Sequence, residues 1–228
     1  MQLIDAYYWA GGREAMLRFG PDDGPVVIAS LPLFEEANRT RAFTVSIMRG
    51  LADMGIGSVL PDWPGTGESM IETRDARLLA MRAACEALVE QIARPAYAVG
   101  IRSGALIDAS APMDGRWHLS PVGGETVLRE LARTRPGIHV ATLLEATEPV
   151  EVAGNLLSPA MLADLASARI YDGEHVPQRV VRLESDPRPS DLKLAGAPLW
   201  RRAEPGNDQT LAKGLAGDIA AWVRSCEG

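Results

Sequence analysis

Residues 26–31, Val-Val-Ile-Ala-Ser-Leu, form a short apolar run inside a charge-free stretch, residues 24–34. A strand with one wet face alternates apolar and polar residues. A run without that alternation has no face to offer water, so it reads as a strand covered on both sides. That requirement narrows the fold to a sheet sandwiched between helical layers. The same stretch is far short of the roughly 20 apolar residues a membrane helix needs.

The flanking sequence supplies the layers. Residues 3–9 are rich in strand formers, Gly11-Gly12 makes a turn, and residues 13–19 alternate as a half-buried strand does, which predicts an antiparallel hairpin. Residues 38–54 place Phe43, Ile47, Leu51 and Met54 at helical spacing, with Gly55 as the stop. Residues 56–60 read as the next strand and residues 74–93 as a long helix without breakers, closed by Pro95. Residues 96–99 read as a buried strand, followed by a tight turn and a short apolar helix to about Ala111. A strand over 116–119, a helix over 125–134, a strand over 180–183, a last short strand over 199–201 and a closing amphipathic helix over 211–223 complete the series. Strands alternating with helices predict an α/β fold with a mostly parallel central sheet, helices on both faces, and the hairpin adding antiparallel edge strands. The whole chain, 1–228, is expected to form one domain, with residues 137–170 as a lid-like insertion over the sheet's C-terminal edge, where ligands bind in such folds.

Composition removes several function classes. With 23 Lys and Arg against 30 Asp and Glu, the net charge is -7. The global field therefore repels nucleic acid and anionic lipid. Cys85 and Cys226 are too few for a disulfide scaffold, and no Cys/His cluster has metal-ligand spacing, so no metal and no cofactor is predicted. Asp5 stands near the N-terminus with no basic segment ahead of an apolar one, which predicts no secretory signal, no membrane span and a cytoplasmic location. Self-association into a homo-oligomer stays open.

Gly100-Ile101-Arg102-Ser103-Gly104, between a strand and a helix, has the small-x-centre-x-small form of a nucleophile elbow, and resembles that of the α/β-hydrolase superfamily. Asp62-Trp-Pro-Gly-Thr-Gly-Glu-Ser69 is similar to the D-x-P-G-x-G-x-S loop of many such hydrolases. A narrower resemblance is to the hydrolase-like proteins associated with exosortase A systems in bacteria that export exopolysaccharide. Residues 31–41, Leu-Pro-Leu-Phe-Glu-Glu-Ala-Asn-Arg-Thr-Arg, resemble their P-P-F-x-E-E-x-N-x-x-R, and the elbow resembles their G-x-R-x-G-A. Residues 120–125 and 151–158 resemble their Q-P-V-x-x-G-E and E-x-x-G-Y-x-L-S, with Ser120, Asn155 and Leu33 as departures. The resemblance implies an accessory or binding role in exopolysaccharide production.

A serine hydrolase needs a nucleophile, a histidine to take its proton, a carboxylate to orient the histidine, and oxyanion donors. The elbow centre here is Arg102, a permanently charged guanidinium that cannot accept an acyl group. The remaining candidates for a triad are Ser103, one residue late, Asp186 after the late strand, and His175, with no histidine following it. His118 and His139 have structural readings, as a strand residue and an insertion residue. Glu35, Glu36, Asn38, Arg41 and Asp62 are expected at the same sheet edge as Arg102. Two readings of Arg102 follow: a bidentate contact to a small anionic or carbohydrate-derived ligand, or an internal pair with Glu35 or Glu36. An active hydrolase of esters, acyl groups or glycan substituents, using Ser103 or an unconventional site, is the alternative function.

Overall fold

A computed structural model describes residues 2–228. The chain opens with the expected hairpin: β1 (Gln2–Trp9) pairs antiparallel with β2 (Gly12–Phe19), from Gln2 opposite Phe19 to Trp9 opposite Gly12. β3 (Val26–Ser30) is buried at every position, as its uninterrupted apolar run requires. α1 (Glu35–Asp53) follows, then β4 (Gly57–Pro61), α2 (Leu78–Ile92) and β5 (Ala96–Ile101). β6 (Gly115–Leu119) and α3 (Gly124–Arg133) lead into a segment holding α4 (Val140–Leu144), the small hairpin β7 (Val150–Val152) and β8 (Asn155–Leu157), and α5 (Pro159–Ser167). β9 (Gln178–Leu183), β10 (Leu192–Leu194) and α6 (Gln209–Glu227) close the fold.

The main sheet has eight strands in the order β1-β2-β4-β3-β5-β6-β9-β10. β1 and β2 run antiparallel and the rest run parallel. One face, including Val26, Ile28, Val59 and Ala98, packs on α2, α3 and α5 through Leu88, Leu128 and Leu165. The other, including Val27, Ala29, Val99 and Trp117, packs on α1 and α6 through Ile47, Leu51, Leu215 and Ile219. Each buried Val, Leu or Ile among them contributes about 1.5–3 kcal/mol. Polar ties set the helices in place. Asp208 caps α6 by accepting from the Leu211 N–H at 2.9 Å, and Asp218 takes Arg179 at 2.7 and 2.9 Å and the Trp117 indole at 2.8 Å. Among the described residues no helix is long and apolar enough to cross a membrane.

Three expectations are corrected. α1 begins at Glu35, three residues before the apolar period starts, because two carboxylates in its first turn suit the positive end of the helix dipole. The turn after β5 is a single 3-10 stretch, Arg102–Leu106, rather than a helix reaching Ala111. The last strand is Leu192–Leu194, and Leu199–Arg201 is a 3-10 turn. A three-residue strand in a Pro- and Asp-rich stretch carries too little period to be seen. It exists because β9 offers an open parallel edge.

Candidate functional site

The parallel strands β3, β5, β6 and β9 all end at one sheet edge, so the loops that follow them meet there. The loop after β5 turns at Arg102, whose φ of 54° lies in the left-handed region. The turn is tight enough that its flanks must be glycine. A Cβ on Gly104 would lie 2.3 Å from the Ser30 carbonyl oxygen, and one on Gly100 would lie 2.7 Å from the Ala105 Cα. The elbow spacing seen in the sequence is therefore a packing requirement of this strand-turn unit.

Arg102 is almost entirely buried. Its Nε donates to Glu36 Oε2 at 3.2 Å and its Nη2 to Glu36 Oε1 at 3.2 Å and to both Glu130 carboxylate oxygens at 2.8 Å. The guanidinium also lies 5.3 Å from the Trp200 ring centre, a cation–π contact. One side chain at the end of β5 thus ties the first turn of α1, the second turn of α3 and the Leu199–Arg201 turn. Burial pushes the Glu36 carboxyl up, against the opposing pull of Arg102.

Ser103 does not face a histidine. Its hydroxyl accepts the Leu33 N–H at 2.8 Å, and both residues are buried. That N–H comes from the loop after β3, which in this arrangement is a natural oxyanion donor, and here it is occupied by an internal bond. Asp186 sits in the turn after β9 and is held by Arg188 at 2.7 Å and Arg182 at 3.1 Å, which keep its carboxyl well below the usual carboxylate range. His175 is exposed and precedes β9, at the sheet edge opposite the elbow. The structure therefore does not bring Ser103, His175 and Asp186 together. His139 is exposed at the start of α4. His118, buried on β6, has its Nε2 3.0 Å from Asp108 Oδ2, while the other oxygen of Asp108 is 3.2 Å from Arg116 Nε.

Asp62 and Arg41 form their own unit, 3.0 Å apart. The Asp62 carboxylate also accepts the Glu68 N–H at 3.1 Å, closing the Pro-Gly-Thr-Gly loop on itself. Asn38 lies beside that loop, in side cavities that none of the elbow residues lines. Glu35 does line the main cavity, with no ion pair or hydrogen bond to its carboxylate among the described residues.

That cavity, about 950 Å³, is walled by Leu33, Phe34 and Glu35 from the β3–α1 junction, Glu130 and Arg133 from α3, Gly154 of the β7–β8 hairpin, and Trp200 and Arg201. A second lobe of about 370 Å³ lies between Arg102, Ser120 and the Asp186 turn. The two share Glu130, Trp200 and Arg201, so they form one cleft over the elbow.

Solved structures with this arrangement are enzymes of several kinds. A haloalkane dehalogenase loop variant from Bradyrhizobium elkanii aligns over 100% of this chain and 98% of its own, with TM-score 0.63 and 13% identity. Est1E from Butyrivibrio proteoclasticus, bound to ferulic acid, aligns over 95% and 98%, with TM-score 0.68 and 15% identity. An epoxide hydrolase from Vigna radiata aligns over 98% of each chain, with TM-score 0.66 and 12% identity. No protein-family model and no curated protein sequence matches. The chain has the α/β-hydrolase fold.

Arg102 stands at the centre of the Gly-x-Arg-x-Gly turn after β5 with a left-handed backbone. Sequence reasoning missed Glu130, the closest partner of Arg102, because it lies in mid-helix with nothing local to mark it. A helical wheel of α3 would have placed it one turn after Val127, at the border of the buried face. Arg133 and Arg201 were equally silent, and Ser120 was marked only as a departure within the 120–125 motif, since only the fold puts them on the cleft wall.

Proposed function

We propose that this α/β-hydrolase-fold protein binds a ligand in the cleft over its elbow without hydrolysing it, as an accessory component of exopolysaccharide production. The observation that carries the reading is the position of Arg102, a non-nucleophilic side chain at the elbow centre locked by Glu36 and Glu130. The engaged Ser103 hydroxyl and the separation of His175 from the elbow edge support it. The link to exopolysaccharide rests on the ordered motif resemblance at residues 31–41, 100–105, 120–125 and 151–158. The ligand in this reading is small and anionic or carbohydrate-derived, with residues 137–170 as a lid, since Gly154 reaches the cavity wall. The setting is the cytoplasm, and the chain acts alone or as a homo-oligomer.

A fluorophosphonate probe and a panel of nitrophenyl esters test the absence of hydrolysis. The expected result is no covalent label and no turnover above buffer. Stoichiometric labelling of Ser103 would overturn it. In a bacterium carrying the chain, deletion should lower exopolysaccharide yield, and an unchanged yield would remove the pathway link.

One observation favours the alternative of an active hydrolase: Glu35 presents an unpaired carboxylate to the cavity, the group a general base needs. Ester turnover abolished by Glu35→Gln and retained by Ser103→Ala would establish that reading.

A further inference from the structure

We propose that the smaller lobe of the cleft is an oxyanion subsite, in which Arg102, Arg201 and the Ser120 hydroxyl take the carboxylate or phosphate group of a sugar-derived ligand. The proposal rests on the non-hydrolytic reading above and specifies what the cleft recognises.

Ser120 is the starting observation. It follows β6 with φ at 47°, its side chain is 99% inaccessible by its 1% exposure, and its Oγ has no hydrogen-bond partner among the described residues. A buried hydroxyl left unpaired is costly, and a left-handed serine adds to the cost. Native structures rarely retain both at one residue without a use for them. Four of the five non-glycine residues with positive φ, namely Phe34, Arg102, Ser120 and Ala153, line the cleft; the fifth, Ala93, ends α2. Backbone strain is thus concentrated around one volume.

Arg102 supplies the second donor. Nε and Nη2 carry all of its bonds to Glu36 and Glu130, and Nη1 makes no hydrogen bond among the described residues. Arg102 lines the same lobe as Ser120. Arg201 is exposed, belongs to both lobes, and has no side-chain hydrogen bond or ion pair among the described residues. The lobe is walled by three guanidiniums, Arg102, Arg188 and Arg201, against two carboxylates. Those carboxylates, Glu130 and Asp186, are already engaged by Arg102 and Arg188. Adding the ion-paired Glu36 and Arg182 gives four guanidiniums against three carboxylates, so local charge still favours an anion even though the chain as a whole carries -7. A fork of N–H donors beside a hydroxyl is the donor set a carboxylate or phosphate accepts. The larger lobe, with the free Glu35 carboxylate, offers an acceptor for sugar hydroxyls.

Titration calorimetry of the full chain with glucuronate, glucose 6-phosphate and glucose at low salt tests the subsite. Both anionic sugars should bind at least tenfold more tightly than glucose, and added salt should weaken them. The tighter of the two identifies carboxylate or phosphate as the group recognised. Ser120→Ala and Arg201→Ala should each weaken the anionic sugars about tenfold, the scale of one hydrogen bond to a charged group. Ser120→Ala should leave the melting temperature unchanged or raised, because it removes an unpaired buried hydroxyl; a merely structural serine would lower it. Equal binding of glucose, affinities unmoved by either variant, or no binding of any of the three would overturn the subsite. Ester hydrolysis lost in Ser103→Ala would instead overturn the non-hydrolytic reading on which it rests.

Discussion

Ser103 Oγ accepts the Leu33 N–H at 2.8 Å, so the hydroxyl beside the elbow centre is spent on joining the β3 and β5 loops. Ser103→Ala strands a buried N–H, and its cost should be about 1–2 kcal/mol of stability. Urea unfolding of the two proteins measures it. Ester turnover should be the same before and after the change.

Replacing Arg102 by alanine leaves Glu36 and Glu130 facing each other with no cation between them. Both carboxylates keep some solvent access, so the loss should be about 2–4 kcal/mol, below the full cost of stranding deeply buried charges. Arg102→Lys should recover only part of it, since an ammonium cannot span two carboxylates as a planar fork does. Arg102→Ser restores a hydroxyl at the nucleophile position and should yield no esterase, because His118 is committed to Asp108 and His175 stands at the other sheet edge. Thermal melts and a nitrophenyl acetate assay separate the two effects.

Asp186 and Glu36 should give opposite pH signatures. Arg188 and then Arg182 hold Asp186 below its unfolded value, so its contribution is present above the ordinary carboxylate range and is lost as pH falls through the lowered folded value. Asp186→Asn should therefore destabilise at pH 7, with the difference from wild type shrinking in strong acid. Burial holds Glu36 above its unfolded value, so its contribution is full below the ordinary carboxylate range and is lost as pH rises through the raised folded value. Urea midpoints of the wild type, Asp186→Asn and Glu36→Gln at pH 3, 5 and 7 check the two signs.

Asp108 is 1% exposed and faces both Arg116 and His118, and Arg116 further stacks 3.8 Å above the Tyr171 ring centre. Asp108→Ala should cost about 3–5 kcal/mol, since it leaves a buried guanidinium without its counter-charge. Arg116 also donates to the Asp108 and Ala111 carbonyls, so the elbow's 3-10 stretch should loosen with it. Hydrogen exchange at residues 102–111 reads that loosening directly.

The parts of this fold that were legible in the sequence are those where one local pattern had one physical solution. The apolar run at β3, the alternation in β2 and the glycine pair around Arg102 each demand a particular backbone whatever surrounds them. β10 and the early start of α1 were hidden because they depend on neighbours: an open strand edge in one case, favourable charge at a helix end in the other. The site divided in the same way. Arg102 and Glu36 sit in marked motifs and meet as a pair, while Asp62 and Arg41 meet each other to close a loop away from the elbow. Glu130 and Arg201 carry no local signature, and Ser120, though it opens a marked motif, is brought to the cleft by tertiary packing alone.

Arg102 stands on the sheet while its partners stand on α1, α3 and the last turn before α6, so one guanidinium sets how far apart those walls are held. The cleft's width is then a calibrated dimension, adjusted at Arg102 and braced by the Arg39 bond to the Trp200 carbonyl. Any shortening of that side chain will be felt first as a change of gauge, altering which ligands enter before it alters anything done to them.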